Sequence, residues 1–590
     1  MCPRRVTHRW TPRRPRRERE PCFRRQAIRP MPAGARAPVG RSASWRCWGS
    51  PGCRGGGGAA RRAFALATHP RGAVVRGTPE EEAEMSDARE KAVPHLSPEE
   101  FRRLGHRMVD WIADYWARLE SFPVRAAVAP GEVAAKLPAH APEEGLEGAE
   151  GWEAIFRDLE DVVLPGLTHW QSPSFFAYFP SNASGPAVLG ELLSAGLGVQ
   201  GMLWSTSPAA TEMETRVLDW LGELLGLPAT FLSRSGTGGS VIHGTASEAA
   251  LVALVAARER TRRALGREAE WVAYTSTQTH SSVLKAAMLA GVANGAQDSV
   301  HVRQIDTDAG YALRPDLLEK AVREDLAAGR QPFFVCASLG TTSSGAMDPV
   351  RAVGEVWERT GVRASGGWLH VDAAWAGSAL LCPEYAALRD GLEGADSFAF
   401  NPHKWLLTNF DCNAFYTSDR KALVDALSVT PEYLRNAASA SGAVIDYRDW
   451  QVPLGRRFRA LKLWFVLRHY GARGLRTYLR EHIRQAERFA AWVEEDARFE
   501  LAVPRSLALV CFRLKPRPGE APADTDTRNR LLLERLNASG QAFLSHTVLP
   551  GVDGAPARYV LRLAIGAVRT EERHVRAVWE RLVALAGSGE

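Results

Sequence analysis

The chain has 590 residues, enough to bury a large core and to form more than one domain. Its formal charge of +7 suggests an anionic partner, but residues 1–84 hold 19 arginines, no lysine and six acidic residues, a balance of +13 that leaves −6 for the other 506. The basic character therefore belongs to the tail, which argues against a body that binds nucleic acid. No run of about 18 apolar residues is present to span a membrane.

The tail, with TPRRPRRERE and CRGGGGAARR, is rich in Arg, Pro and Gly and has no hydrophobic period. Such a composition cannot bury enough apolar surface to offset chain entropy, so we read 1–84 as a disordered extension. Met85 begins MSDAREKAVPHLSPEEF, a natural start, and on that reading the native protein lacks the extension. A transit peptide and an Arg-rich nucleic-acid arm are the alternatives; abundant proline speaks against the first, and missing lysine and aromatic interleaving against the second. Four of the eight cysteines lie in this tail, and the other four (Cys336, Cys382, Cys412, Cys511) are scattered without CxxC spacing. We therefore expect a reducing, cytoplasmic location and no metal site.

Ser97, Pro98 and Glu100 form a helix-start signature, and Phe101, Leu104, Met108, Trp111, Ile112, Tyr115 and Leu119 then recur at helical spacing. This wide apolar stripe has little chain beside it, so it should dock on another domain or subunit. After a Pro-rich link at 123–142, helices alternate with short apolar segments: WVAYTS (271–276), PFFVCASLG (332–340), WLHVDAA (368–374) and SFAFNPH (397–403). That alternation predicts an α/β fold with a mostly parallel sheet covered by helices. From about 472 onward, helical sequence followed by LALVCFRL and RYVLRLAI predicts a small α+β domain.

Ligands of open α/β sheets bind beyond the carboxyl ends of the strands. The residues expected there are His280, the hydroxyl cluster TTSSGAMD, Asp372 and Lys404. Each has an ordinary structural explanation taken alone; what distinguishes them is that they share one edge. Lys404 stands in the apolar run NPHKWLLTNFDC, which would desolvate its amine and keep it neutral. A neutral lysine near an aspartate suits pyridoxal phosphate: the amine binds the aldehyde, and the carboxylate keeps the pyridine nitrogen protonated. His280 could stack on the ring. GTASEAALVALVAARER places Thr245, Ala246 and Ser247 at the start of a strong helix, where hydroxyls, N–H groups and the helix dipole suit a phosphate.

NPHKWLLTNFDC, HVDAAWAGSALLCPE, TQTHSSVLKA, HGTASEAALVALVAAR and FFAYFPSNAS together resemble the group II pyridoxal-phosphate decarboxylases, above all the aromatic-L-amino-acid decarboxylases for tryptophan, tyrosine and DOPA. The likeness runs from about Leu96 to the C-terminus and includes VIDYRDWQVPLGRRFRALKLWFVLRHYG. It implies the fold-type-I architecture of pyridoxal-phosphate-dependent transferases and a homodimer with active sites near the subunit interface. The implied divisions are the extension 1–84, a dimer-wrapping helical segment 85–180, a large cofactor domain 181–471 and a small domain 472–590.

Carried over position by position, the resemblance implies that Lys404 binds the cofactor covalently, Asp372 pairs with the pyridine nitrogen, His280 stacks on the ring and Ala374 packs on its other face. Ala246, Ser247, Asn401 and His403 match positions around the phosphate, and Thr342 matches a cofactor contact. Tyr433, in TPEYLRNAASASG, matches a tyrosine of a mobile loop that helps protonate Cα after carbon dioxide leaves. Relatives that make aldehydes often carry phenylalanine there or asparagine in place of the histidine. Keeping Tyr433 and His280 favours the amine product, with an aldehyde synthase as the alternative. Trp170, Phe175, Phe176, Tyr178 and Phe179 border the substrate ring in the family, although some of them serve only as core. Phe410 approaches the neighbouring site, and Gln200 and Met202 stand where animal enzymes carry larger apolar and aromatic residues. Gly455 matches a position where serine is common in histidine- or phenol-selective relatives; the room it leaves favours tryptophan over phenylalanine, tyrosine and DOPA. An aminotransferase would carry an arginine motif for the α-carboxylate, and a glutamate-type decarboxylase would need a cationic distal pocket. Neither pattern is seen.

Overall fold

A computed structural model describes residues 95–146, 148–429, 431–551 and 554–587. The readings made for residues 1–84 and for Met85 lie outside these residues. Leu96–Glu590 is one compact unit. The helix Pro98–Ala117 starts as expected: the Ser97 hydroxyl accepts the Glu100 N–H and the Glu100 carboxylate accepts the Ser97 N–H, a reciprocal capping box. Of its stripe Leu104 is buried, Trp111, Ile112 and Tyr115 are half-buried, and Phe101 is exposed.

Seven strands form the main sheet: β1 (Gly239–His243), β2 (Trp271–Ser276), β3 (Val302–Ile305), β4 (Gln331–Ser338), β5 (Trp368–Asp372), β6 (Ser397–Phe400) and β7 (Asn413–Thr417). Their order is β1-β7-β6-β5-β4-β2-β3, and β7 is antiparallel to both of its neighbours while the other pairings are parallel. Every residue of β4 and β5 is buried, as befits central parallel strands covered on both faces. The four apolar segments singled out from sequence are β2, β4, β5 and β6. SFAFNPH ends as a strand at Phe400, and Pro402–Trp405 instead makes one helical turn. Proline at the first position of that turn cannot extend the sheet ladder but suits a helix start.

The antiparallel β7 has a consequence for the site. Residues 401–412 need only turn the chain around at the carboxyl end of β6, so Lys404 is carried on a short return connection rather than at the head of a long helix. A second sheet of four antiparallel strands, β10-β11-β9-β8, is built from β8 (Phe499–Leu501), β9 (Leu509–Leu514), β10 (Ser545–Leu549) and β11 (Arg558–Ala564). It follows the long helix Ala460–Glu495, which is broken at Gly471 (φ 59°, ψ 175°), a backbone conformation that glycine adopts without a Cβ penalty. Among the described residues no helix is long and apolar enough to cross a membrane.

Candidate active site

The carboxyl ends of β2, β4, β5 and β6 open on one cavity of about 250 Å³. Its wall contains Phe179, Thr245, Ala246, Ser247, His280, Thr342, Asp372, Ala374, Asn401, His403, Lys404 and Phe410, all singled out from sequence. Ser282, Ser338, Gly340, Thr341 and Trp375 complete it. Sequence reasoning missed Trp375, although it sits three residues after Asp372. Its ring stacks on Phe179 (4.5 Å between centroids, 18°) and on Trp405 (5.2 Å, 20°).

The Lys404 amine makes no hydrogen bond or ion pair with any described residue, while its backbone N–H donates to the Asn401 carbonyl (2.9 Å). Burial depresses its amine pKa; the nearby Arg562 guanidinium acts in the same direction and Asp372 opposes. The connection that carries it is clamped by residues 182–184. The His403 carbonyl accepts the Asn182 N–H (2.9 Å), the Asn182 side-chain oxygen accepts the Leu407 N–H (2.8 Å), and the Leu407 carbonyl accepts the Ser184 hydroxyl (2.6 Å). These contacts hold Leu407 at φ 54°, a conformation unusual for a residue with a Cβ. The motif FFAYFPSNAS thus fixes the lysine loop from behind.

Asp372 is buried, and one of its oxygens accepts the Ala374 N–H at 2.9 Å. The other has no hydrogen-bond partner among the described residues, so a carboxylate oxygen remains available in the cavity. The His280 ring is oriented by Ser282, whose N–H (3.2 Å) and hydroxyl (2.8 Å) both lie at Nδ1. Accepting the backbone N–H leaves Nδ1 unprotonated, so the neutral ring carries its proton on Nε2. Although the residue as a whole is exposed, desolvation of its ring at the cavity wall, opposed by Asp372, lowers the pKa of His280 and favours that neutral form. His403 is held down to about 3, first by burial and then by Lys404; its Nδ1 accepts the Cys412 N–H at 2.9 Å.

The helix Ala246–Leu265 also begins at the cavity wall, with Thr245 as its N-cap accepting the Glu248 N–H. The N–H groups of Ala246 and Ser247 have no partner among the described residues, as expected of a first turn, and with the nearby hydroxyls they suit a phosphate. A free carboxylate oxygen, a half-buried amine without a salt bridge among the described residues and a donor-rich helix end thus match the pyridinium, aldehyde and phosphate of pyridoxal phosphate.

Residues 130–515 match the family model described as "Pyridoxal-dependent decarboxylase conserved domain". The chain belongs to this family. The pyridoxal-dependent decarboxylase is 49% identical over 498 residues to a phenylacetaldehyde synthase of Arabidopsis thaliana, covering 84% of this chain and 98% of the relative. It is 47% identical over 506 residues to tyrosine decarboxylase 2 of Narcissus pseudonarcissus, covering 85% and 97%. A crystal structure of Oryza sativa TDC with PLP and tryptamine superposes with a TM-score of 0.79 at 43% identity, covering 84% of this chain and 99% of that one. The chain is a PLP-dependent carboxy-lyase of α/β fold, as its motifs implied.

The decarboxylase does not bring every expected residue to the cavity. Tyr433 lies on a short turn, 77% exposed, with Leu434 beside it buried against the body. Trp170 stacks on Phe175 (4.5 Å) and Tyr178 (5.8 Å), and Trp170 and Tyr178 are exposed, whereas Phe175 and Phe176 are core. Gln200, Met202 and Gly455 form a separate group. The Gln200 side-chain oxygen accepts the Arg456 N–H at 2.9 Å, the Arg456 carbonyl accepts the Gly201 N–H at 3.1 Å, and the Met202 carbonyl accepts the Arg448 N–H at 3.1 Å. None of these eight predicted residues lines the cavity of the single chain.

Proposed function

We propose that the enzyme converts aromatic L-amino acids to the corresponding amines and carbon dioxide. The observation that carries this reading is Lys404: a half-buried amine with no salt bridge among the described residues, held in one cavity with Asp372, His280 and the free N-terminus of a helix. Phe179 in the cavity wall, with Trp170 and Tyr178 close by in the chain, supports an aromatic substrate. So does similarity to relatives named for tyrosine and phenylacetaldehyde.

When bound, pyridoxal phosphate supplies an electron sink for the electron pair of the breaking Cα–carboxylate bond. Lys404 would hold it covalently until a substrate amine takes its place. Asp372 would keep the pyridine nitrogen protonated, His280 and Ala374 would hold the ring between them, and Thr245, Ala246, Ser247, Thr342, Asn401 and His403 would bind around it. Tyr433 would return a proton to Cα, which requires its loop to leave the exposed position described above.

The substrate pocket needs a second copy of the chain. Leu189, Leu192, Leu193 and Leu197 are all exposed on the helix Gly185–Leu197, an apolar face that suits a homodimer, and Gln200, Met202 and Gly455 lie outside their own chain's cavity. We assign these three to the neighbouring site, and Phe410 to the interface. A Cβ on Gly455 would meet the Gln200 amide nitrogen at 3.3 Å. The room that glycine leaves is therefore taken by Gln200, and Gly455 alone no longer argues for tryptophan. One lone pair of its oxygen is taken by the Arg456 N–H, and the Gln200 amide nitrogen is left as a donor that suits a phenol oxygen. Among the aromatic substrates, that donor adds support for tyrosine and DOPA.

We divide the chain into the extension 1–84, a partner-wrapping segment 85–180, a large domain 181–471 and a small domain 472–590; the break at Gly471 and the second sheet after it support the last boundary. Four free, buried cysteines support a cytoplasmic location. The aldehyde reading is favoured by the phenylacetaldehyde synthase relative and opposed by the retained Tyr433 and His280. One experiment separates them: supply the full chain and PLP with tyrosine, DOPA, tryptophan, phenylalanine, histidine or glutamate, and quantify carbon dioxide, amine, aldehyde and peroxide. Amine equal to carbon dioxide is the expected result. Aldehyde with peroxide would establish the synthase, and no carbon dioxide from any aromatic substrate would end the reading.

A further inference from the structure

Arg562 projects from β11 of the second sheet and is 3% exposed. A guanidinium so deeply buried normally has a carboxylate partner, because an uncompensated charge in the interior is costly. Arg562 has none among the described residues. Its hydrogen bonds go to neutral oxygens: the Ser343 carbonyl (3.2 Å), the Ser545 hydroxyl (2.8 Å) and, more weakly, the Tyr178 carbonyl (3.5 Å). Its guanidinium carbon lies 5.3 Å from the centre of the Phe179 ring, and the Lys404 amine lies 5.5 Å from the same centre. The two cations are thus no more than about 11 Å apart, both beside the Phe179 ring, and Arg562 and Phe179 are buried.

We propose that Arg562 is a positioning residue for the reactive lysine: an uncompensated buried guanidinium that, beside Phe179, favours the uncharged form of the Lys404 nitrogen. The proposal rests on Lys404 being the residue that binds the cofactor. Four charged or titratable groups face that nitrogen. Asp372, at the end of β5, favours the protonated form, whereas Arg562 favours the neutral one. His280 and His403 are neutral near pH 7, since desolvation depresses both. Arg562 is therefore the one fixed positive charge among these four that opposes Asp372. Charge repulsion at the upper distance, with an effective dielectric of about 20, corresponds to about one pH unit in the protonation midpoint of the lysine nitrogen. The sign follows directly. A nearby cation disfavours the protonated form, so removing it must move the midpoint upward.

The test is a pH titration of the visible absorption band of the holoenzyme, without substrate, in wild type, R562Q, R562M and R562K. R562Q keeps donors for the neutral oxygens and loses the charge; R562M loses both; R562K keeps the charge. A midpoint about one unit higher in R562Q and R562M, and within about 0.3 units of wild type in R562K, is expected. An unchanged midpoint in R562Q or in R562M, or an R562K midpoint raised as far as theirs, overturns the proposal. If R562M does not fold, R562Q and R562K decide it. Because no turnover is measured, a chain that decarboxylates none of the aromatic substrates would leave this test intact. A wild-type band that persists in K404A would instead sink the assignment of Lys404, and the proposal with it.

Discussion

The cavity at the strand ends and the exposed surface carrying Tyr433, Gln200, Met202 and Gly455 are built on opposite plans. In the cavity, each polar group is set by a neighbour: Asp372 by the Ala374 N–H, His280 by Ser282, and the lysine loop by Asn182 and Ser184. On the surface, Tyr433 is 77% exposed, and the Gln200 amide nitrogen has no partner among the described residues. The difference separates two tasks. Bond breaking needs groups preorganised in a site that excludes water, so one chain supplies them already in place. Substrate choice and protonation fall to groups that must meet something else, a second copy or a loop in another position.

This contrast can be broken from either side. Lys404→Ala is expected to lower decarboxylation by at least about 10³-fold while leaving the fold intact, since removing a covalent anchor removes the whole pathway; carbon dioxide release and circular dichroism test both halves. Tyr433→Phe should slow amine formation by about 10²-fold, the usual worth of a positioned proton donor, and divert product toward aldehyde and peroxide. Its melting temperature should not move, because an exposed hydroxyl contributes little to stability. A large loss of stability would mean that Tyr433 is a packing residue after all.

The cavity should also respond to acid where the surface does not. His370, beneath Asp372, is held down to about 4 and His403 to about 3, in both cases first by burial. Both bind fewer protons folded than unfolded between pH 6.5 and those values, so stability is full above 6.5 and falls as the pH is lowered. The expected loss approaches tenfold in the folding constant per histidine per pH unit, or about 1.4 kcal/mol, and should shrink in H370N when followed by chemical denaturation. A pH-independent folding constant between 6.5 and 4.5 would remove the argument. The smallest effect belongs to Gln200→Met: a three- to tenfold drop in the ratio of kcat/KM for tyrosine over phenylalanine, the size of one hydrogen bond. An unchanged ratio would return Gln200 to a purely structural role beside Gly455.

Much of the site could be read before any coordinates because chemistry and periodicity coincide in it. Buried parallel strands are apolar along their whole length, so β2, β4, β5 and β6 stood out, and the polar residue just past each strand became a candidate. The less regular strands did not. Gly239–His243 and Val302–Ile305 are short and carry glycine, histidine or charged residues, and Asn413–Thr417 follows the lysine loop with no turn signal to set it apart. Arg562 was missed for a different reason. In RYVLRLAI it looks like the polar member of an alternating strand, and nothing local says that it points into protein without a carboxylate.

The sequence by itself thus determined the family, the α/β class, the capping of the first helix and most of the cavity wall, because these depend on residue type and on spacing along one strand or helix. The tertiary structure alone decided that β7 is antiparallel, so that Lys404 rides on a tight return, and that Asn182 clamps it. It also decided that Gln200 fills the space above Gly455 and that Arg562 stands unpaired beside Phe179. These facts concern residues 14 to 383 positions apart in the chain, and no helical or strand period reaches across such separations.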